Sequence, residues 1–186
     1  CVLHQMFKRI DESSPPFVLI HGASGSGKSS LMQAGLIPRL ARSWSVPGIS
    51  EWRWCVLHPS SATGGLFDSL VQALSSKTAF PDLDRFHGRL ELTKLFSESA
   101  GAANIIVTNE FAKAPGTGLI IGIDQLEEVF AESSGAGKEM RDAWFGSIQA
   151  LLATGKILVL ATIRSDLMDR CKEIPALLEL KQGNGN

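Results

Sequence analysis

Phe17-Val18-Leu19-Ile20 is a compact apolar run, preceded by Pro15-Pro16, and it leads straight into His21-Gly22-Ala23-Ser24-Gly25-Ser26-Gly27-Lys28-Ser29-Ser30. Leu31, Leu36 and Leu40 then begin a helix-like spacing. The middle segment reads G-x-x-G-x-G-K-S and fits the phosphate-binding loop pattern without a mismatch. A strand, a glycine loop and a helix in that order constrain the fold strongly, because this is the context in which such a loop works. Glycines let the backbone wrap an anion with no side chain in the way. Successive N–H groups then form an anion-binding nest, and the helix that follows turns its orphan N–H groups and positive dipole end toward the same point. Gly22, Ala23, Ser24, Gly25, Ser26, Gly27, Lys28, Ser29 and Ser30 are therefore candidate nucleotide-binding residues. Lys28 is the natural partner of the β- and γ-phosphates, and Ser29 the natural magnesium ligand.

The rest of the composition excludes several classes. The chain has 186 residues, 44% of them hydrophobic and 20% charged, which suits one soluble domain with a sizeable core. Its 18 basic and 19 acidic residues give a net charge of -1, with no Lys/Arg run, so the basic footprint of a nucleic-acid binder is missing. Trp52 and Trp54 accordingly read as packing residues, since stacking platforms accompany a positive groove. Cys1, Cys55 and Cys171 are odd in number and far apart, which points to a reducing compartment. Neither they nor the scattered His4, His21, His58 and His87 have metal-ligand spacing. No apolar run reaches bilayer length, and no signal-peptide core follows Cys1-Val2-Leu3-His4. A cytoplasmic location is expected. The chain lacks an initiating methionine and reads as an excerpt from a longer one.

The expected organisation is a lead-in over 1–14, a core over 15–182 and a fraying tail over 183–186. Residues 2–10 read as a short helix or turn. Strands are expected near 17–21, 53–58, 119–123 and 157–162, and helices over 28–42, 65–76 and 138–153. Pro38 is expected to end or kink the first helix. Asp82 or Asp84 is expected to start a third helix that carries Phe86, Leu90, Leu92, Leu95 and Phe96 and ends near Gly101. The stretch 102–112 reads either as a short strand at Ile105-Ile106-Val107 or as helix reaching Phe111. Met140, Trp144, Ile148 and Leu151 or Leu152 should share one helix face. Ser133 to Gly137 reads as a small-residue loop, 166–170 as a short helix, and Pro175 separates this from 176–181.

Leu119-Ile120-Ile121-Gly122-Ile123 and Ile157-Leu158-Val159-Leu160-Ala161-Thr162-Ile163 are apolar on both faces, as in parallel sheets covered by helices on both sides. Asp124 follows the first run at the carboxyl edge, where open α/β sheets bind ligands. In a phosphate-loop protein this is the position that holds magnesium, directly or through water. Glu127 and Glu128 lie close enough to orient an attacking water, and spacing does not separate them. Arg164 comes just after the second run. It reads as a sensor of the γ-phosphate or a stabiliser of charge in transfer, or as the partner of Asp166 or Asp124.

Three segments taken together resemble the STAND group of signal-transduction NTPases, and most of all its bacterial novel STAND NTPase domain. They are the phosphate loop, Leu119-Ile120-Ile121-Gly122-Ile123-Asp124-Gln125-Leu126-Glu127-Glu128-Val129-Phe130, and Ala161-Thr162-Ile163-Arg164-Ser165-Asp166-Leu167. Leu31-Met32-Gln33-Ala34-Gly35-Leu36-Ile37-Pro38 resembles the family's first helix, and Cys171-Lys172-Glu173-Ile174-Pro175-Ala176-Leu177 its segment after the arginine. His58-Pro59-Ser60 departs from the family's usual Arg-Pro-Gly. The resemblance implies a three-layer α/β fold with a mostly parallel sheet in the order 1-4-3-2, to which the family adds a fifth strand that this chain is expected to lack. It assigns Lys28 and Ser29 to phosphate and magnesium, Asp124 to magnesium and the Glu127–Glu128 pair to water activation, with Glu128 favoured by the family's acidic end position. It places Arg164 after strand four. It implies a switch driven by ATP or GTP with magnesium in a bacterial signalling or defence protein, with winged-helix and repeat modules beyond it and nucleotide-dependent self-association. The alternative is a nucleotide-binding regulatory or scaffold fragment with negligible turnover. A phosphotransferase would need an acceptor-binding motif, and a transporter-type ATPase a glycine-rich signature before Asp124; neither is present.

Overall fold

The computed structural model describes residues 17–43, 45–60, 64–85, 87–130 and 137–173. The expected lead-in over 1–14, both ends of the 15–182 core, Phe86, most of the 133–137 loop, the 176–181 segment and the 183–186 tail lie outside the described residues.

Four strands form one sheet: β1 (Phe17–Gly22), β2 (Glu51–Leu57), β3 (Thr117–Ile123) and β4 (Ile157–Arg164). Their order is β1-β4-β3-β2 and every pair is parallel. The expected architecture therefore stands. β3 and β4 occupy the two central positions, which is why their sequences are apolar without interruption: every β3 residue is buried, and all of β4 except Arg164.

The two-residue alternation of strand side chains sorts the core into two layers. Leu119, Ile121, Ile123, Ile157, Val159, Ala161 and Ile163 face one side. There they pack against α2 (Gly65–Leu74), α3 (Arg89–Glu98), α4 (Ala100–Lys113) and α5 (Lys138–Leu152). Ile120, Leu158 and Leu160 face the other side, where Met32, Leu36, Ile37 and Leu40 cover them. Those four belong to α1, a continuous helical run that begins as α-helix at Lys28–Ser30, widens to a π-helical turn at Leu31–Leu36 and returns to α-helix at Ile37–Ser43. A Cβ on Gly122 would lie 3.1 Å from Ile37 Cδ1 and 3.3 Å from Met32 Cε, so the glycine lets α1 settle close against β3. Trp52 joins this layer, whereas Trp54 is 40% exposed at the edge strand, so the tryptophans are not uniformly packing residues.

Several local expectations are corrected. Pro38 does not end the first helix. The i→i−5 bond from Ile37 N–H to Met32 O closes the π turn just before it, and the helix then continues to Ser43. Neither Asp82 nor Asp84 starts a helix; residues 81–85 are turns and α3 begins at Arg89, after Gly88. Leu90 is 84% exposed, on the outer side of α3. The helix pair breaks at Ser99, not at Gly101, because Ser99 is extended and its side chain accepts from Ala102 N–H as the N-cap of α4. Residues 102–112 are helical, with Val107 and Phe111 inward and Ile105 outward. Met140 is exposed and does not join Trp144, Ile148, Leu151 and Leu152 in the core. After β4 the short expected helix is a longer 3-10 run, Ser165–Glu173.

Candidate functional site

The glycine loop leaves β1 at the carboxyl edge and turns into α1 through two left-handed glycines, Gly25 at φ 72° and Gly27 at φ 81°. A side chain at either position would strain that backbone. Lys28 folds back over the loop and donates to Gly22 O at 3.0 Å and Ala23 O at 2.7 Å.

The register then brings a second segment to the loop. Ile123 pairs with Ala161, so one step further along the parallel strands Asp124 meets Thr162. Both fall on the α1 side of the sheet by the same alternation that places Gly122 and Leu160 there. Asp124 is 2% exposed. Its Oδ1 accepts from Ser29 Oγ at 2.7 Å and from Thr162 Oγ1 at 2.6 Å, and its Oδ2 from Gln33 Nε2 at 2.8 Å. Asp124 N–H donates to Leu57 O at 2.9 Å, which ties the end of β3 to β2. Both oxygens of this buried carboxylate are thus hydrogen-bonded, as buried polar groups ordinarily are.

Gln125 follows in the left-handed region at φ 57°, uncommon for a residue with a side chain. Its N–H donates to Thr162 Oγ1 at 2.9 Å, so one threonine holds both the carboxylate and the strained backbone beside it. The chain then enters a 3-10 turn, Leu126–Phe130, that carries both glutamates. They diverge. Glu128 accepts from Ser60 Oγ at 2.6 Å and Ser60 N at 3.2 Å, at the end of β2. Glu127 lines the cleft beside the loop, and its Oε2 is buried with no hydrogen-bond partner.

Arg164 pairs with Asp166, through Nε at 3.1 Å and Nη2 at 2.7 Å, and not with Asp124. Those hydrogen bonds hold the Asp166 carboxyl below its usual range and raise the guanidinium, with a smaller contribution from Glu127 to the latter. The β1–β4 register sets Arg164 directly beside Gly22. Ser24, Gly25, Lys28, Ser29, Gln125, Glu127, Thr162 and Arg164 enclose a cleft of about 310 Å³. Ser30 is exposed and does not line it.

Lys28, Ser29, Asp124, Glu127 and Arg164 are thus brought together, and Glu128 is turned to Ser60. Gln33, Gln125 and Thr162 are the participants that sequence reasoning missed. Thr162 carried a signal, being a hydroxyl in an otherwise apolar strand. Gln33 carried none, because a polar residue on a helix surface is ordinary. Among the described residues no group of three or more His, Cys, Asp or Glu side chains forms a metal cage. Ser29 and Asp124, one hydroxyl and one carboxylate, are oxygen donors of the kind magnesium takes. Among the described residues no helix is long and apolar enough to cross a membrane.

The family model described as Novel STAND NTPase 1 matches residues 2–185. No curated protein matches the chain.

Proposed function

The chain belongs to the novel STAND NTPase 1 family, and from that premise we propose that it binds a nucleoside triphosphate with magnesium in the cleft between the glycine loop and Asp124 and hydrolyses it. The observation that carries this reading is the Ser29–Asp124 hydrogen bond, 2.7 Å across 95 residues of sequence. It joins the phosphate loop to the acidic strand end where the metal belongs.

The loop amides and Lys28 bind the phosphates, with Lys28 leaving the Gly22 and Ala23 carbonyls to do so. Ser29 and Asp124 would hold magnesium, which when bound neutralises phosphate charge. Glu127 orients a water and accepts its proton as the water oxygen bonds to the γ-phosphorus and the bond to the β-phosphate oxygen breaks. Its unpartnered buried oxygen favours it over Glu128. Arg164 exchanges Asp166 for the charge that develops in transfer. ATP is the proposed nucleotide, with GTP the other candidate. The domain is proposed to act in the cytoplasm as a switch within a longer bacterial signalling or defence protein that carries winged-helix and repeat modules. Binding orders the site, hydrolysis releases it, and self-association follows the nucleotide state.

Titration with fluorescent ATP and GTP, with magnesium and in EDTA, tests the reading. Lys28→Ala should weaken binding roughly 10- to 100-fold in both conditions, as loss of a charged hydrogen bond does. Asp124→Asn should weaken it only with magnesium. Absence of binding by the unaltered protein, or equal losses in both conditions for Asp124→Asn, would overturn it. Nucleotide binding without turnover would favour the regulatory-fragment alternative, for which the Arg164–Asp166 pairing speaks, since it occupies the cation that transfer needs.

A further inference from the structure

We propose that Gln33 is a positioning residue that sets the magnesium affinity of this site by holding Asp124, an inference that rests on the nucleotide-and-magnesium reading above. Gln33 lies on the exposed side of α1, yet its amide reaches across 91 residues of sequence to donate to Asp124 Oδ2 at 2.8 Å. Ser29, one helical turn earlier, donates to the other oxygen at 2.7 Å. Residues four apart share a helix face, so α1 grips one carboxylate with two donors, one on each oxygen.

The backbone is adjusted where this happens. Gln33 sits inside the π-helical turn Leu31–Leu36, the only such turn among the described residues. Turns of this kind are rare and concentrate at functional sites, because the extra residue shifts the side chains that follow the preceding turn.

The consequence is a chain of orientation. With Oδ2 held by Gln33 and Oδ1 by Thr162 and Ser29, the Asp124 carboxylate plane does not rotate. Ser29 therefore keeps its proton on Oδ1, which leaves its hydroxyl lone pairs for a cation. Gln33 touches neither nucleotide nor metal in this scheme and acts through Asp124 and Ser29. If Gln33 is removed, the carboxylate is free to turn, and Ser29 is free to point its proton at the ion. Partners of this outer kind typically change metal affinity by about 10- to 100-fold. Lys28 and the loop amides are untouched, so phosphate affinity without metal stays the same.

Gln33→Met keeps the length and helix preference of the side chain but has no donor, and Gln33→Ala truncates it. In the full chain, fluorescent ATP binding is followed against magnesium concentration and, separately, in EDTA. Thermal unfolding of the ligand-free protein is recorded beside it. Both variants should raise the magnesium concentration for half-saturation about 10-fold, with EDTA affinity unchanged and the unfolding midpoint lowered only by the few degrees that one lost hydrogen bond to a buried carboxylate costs. A wild-type magnesium dependence in both variants overturns the inference while leaving the functional reading intact. Equal weakening in EDTA also overturns it, by assigning Gln33 to the fold instead. If the unaltered protein shows no magnesium-dependent binding, the functional reading fails and takes this inference with it.

Discussion

Glu127 and Glu128 are chemically alike and adjacent, and the fold gives them different surroundings. Glu128 is held by both the hydroxyl and the N–H of Ser60, so its charge is already satisfied. Glu127 keeps one oxygen unbonded at the cleft. Glu127→Gln should therefore slow single-turnover hydrolysis about 100-fold or more while nucleotide affinity is retained, the magnitude usual for a general base. Glu128→Gln should leave turnover within a few-fold and lower stability by about 1 kcal/mol, the ordinary worth of a hydrogen bond. Rapid-quench turnover and denaturant titration separate the two, and a slow Glu128→Gln beside a normal Glu127→Gln reverses the assignment. Gln125 adds local tension next to them. Its positive φ is stabilised by the Thr162 hydroxyl, and strained residues of this kind gather at functional sites.

Two helix boundaries decide how the outer layer is assembled. Ser99 ends α3 and caps α4, so a single extended residue turns one apolar stretch into two packed helices. Ser99→Ala should cost about 1 kcal/mol, within the usual range for N-caps, read as a shift of the urea midpoint with an unchanged slope; no shift would mean that the cap bond is not needed. At the start of α3, Arg89 donates to Asp68 on α2 at 2.6 Å through Nη2 and also binds its other oxygen through Nε. The Arg89 hydrogen bond is the main reason that the Asp68 carboxyl lies below its usual range, with burial opposing it. A carboxyl lowered in the folded state contributes stability that is present above its unfolded pKa, near 4. That contribution is lost as pH falls through the lower folded value. Asp68→Asn should therefore destabilise at neutral pH and flatten the acid limb of stability against pH below about 4. An unchanged acid limb would show that the α2–α3 pair does not respond to this charge.

At the scale of the molecule, the two sides of the sheet are unequal. α2 to α5 cover one face, α1 covers the other, and every proposed ligand contact belongs to the α1 side or to the carboxyl edge above it. Ligand binding should thus be reported by the whole fold. At nucleotide concentrations about 100 times Kd, binding adds about 2.7 kcal/mol, which for a domain of this size raises the unfolding temperature by roughly 5–10 °C. Differential scanning fluorimetry with ATP and magnesium should show this rise for the unaltered protein and a much smaller one for Lys28→Ala. Equal rises for both would place the nucleotide away from the loop.

The strand–loop–helix unit, the two central strands and Asp124 were legible from residues 17–31, 119–124 and 157–163 because their signals are local. Glycine at a left-handed turn, a lysine after it and an apolar run long enough for one strand need no distant partner to be recognised. The parallel sheet order was legible only through the resemblance of those segments, in sequence order, to the family. What tertiary structure alone decided is which polar side chains meet. Strand register puts Thr162 beside Asp124, and the π turn accompanies Gln33 onto the same carboxylate. Ser60 at the end of β2 claims Glu128 and leaves Glu127 to the cleft. The α3 start moved from Asp82 or Asp84 to Arg89 because the turns before it and the Asp68 partner outweigh a local capping preference. Hydrogen bonds between segments tens of residues apart depend on sub-ångström placement that no local pattern encodes, and so the residue types at this sheet edge were readable in the sequence while their pairing was decided by the fold.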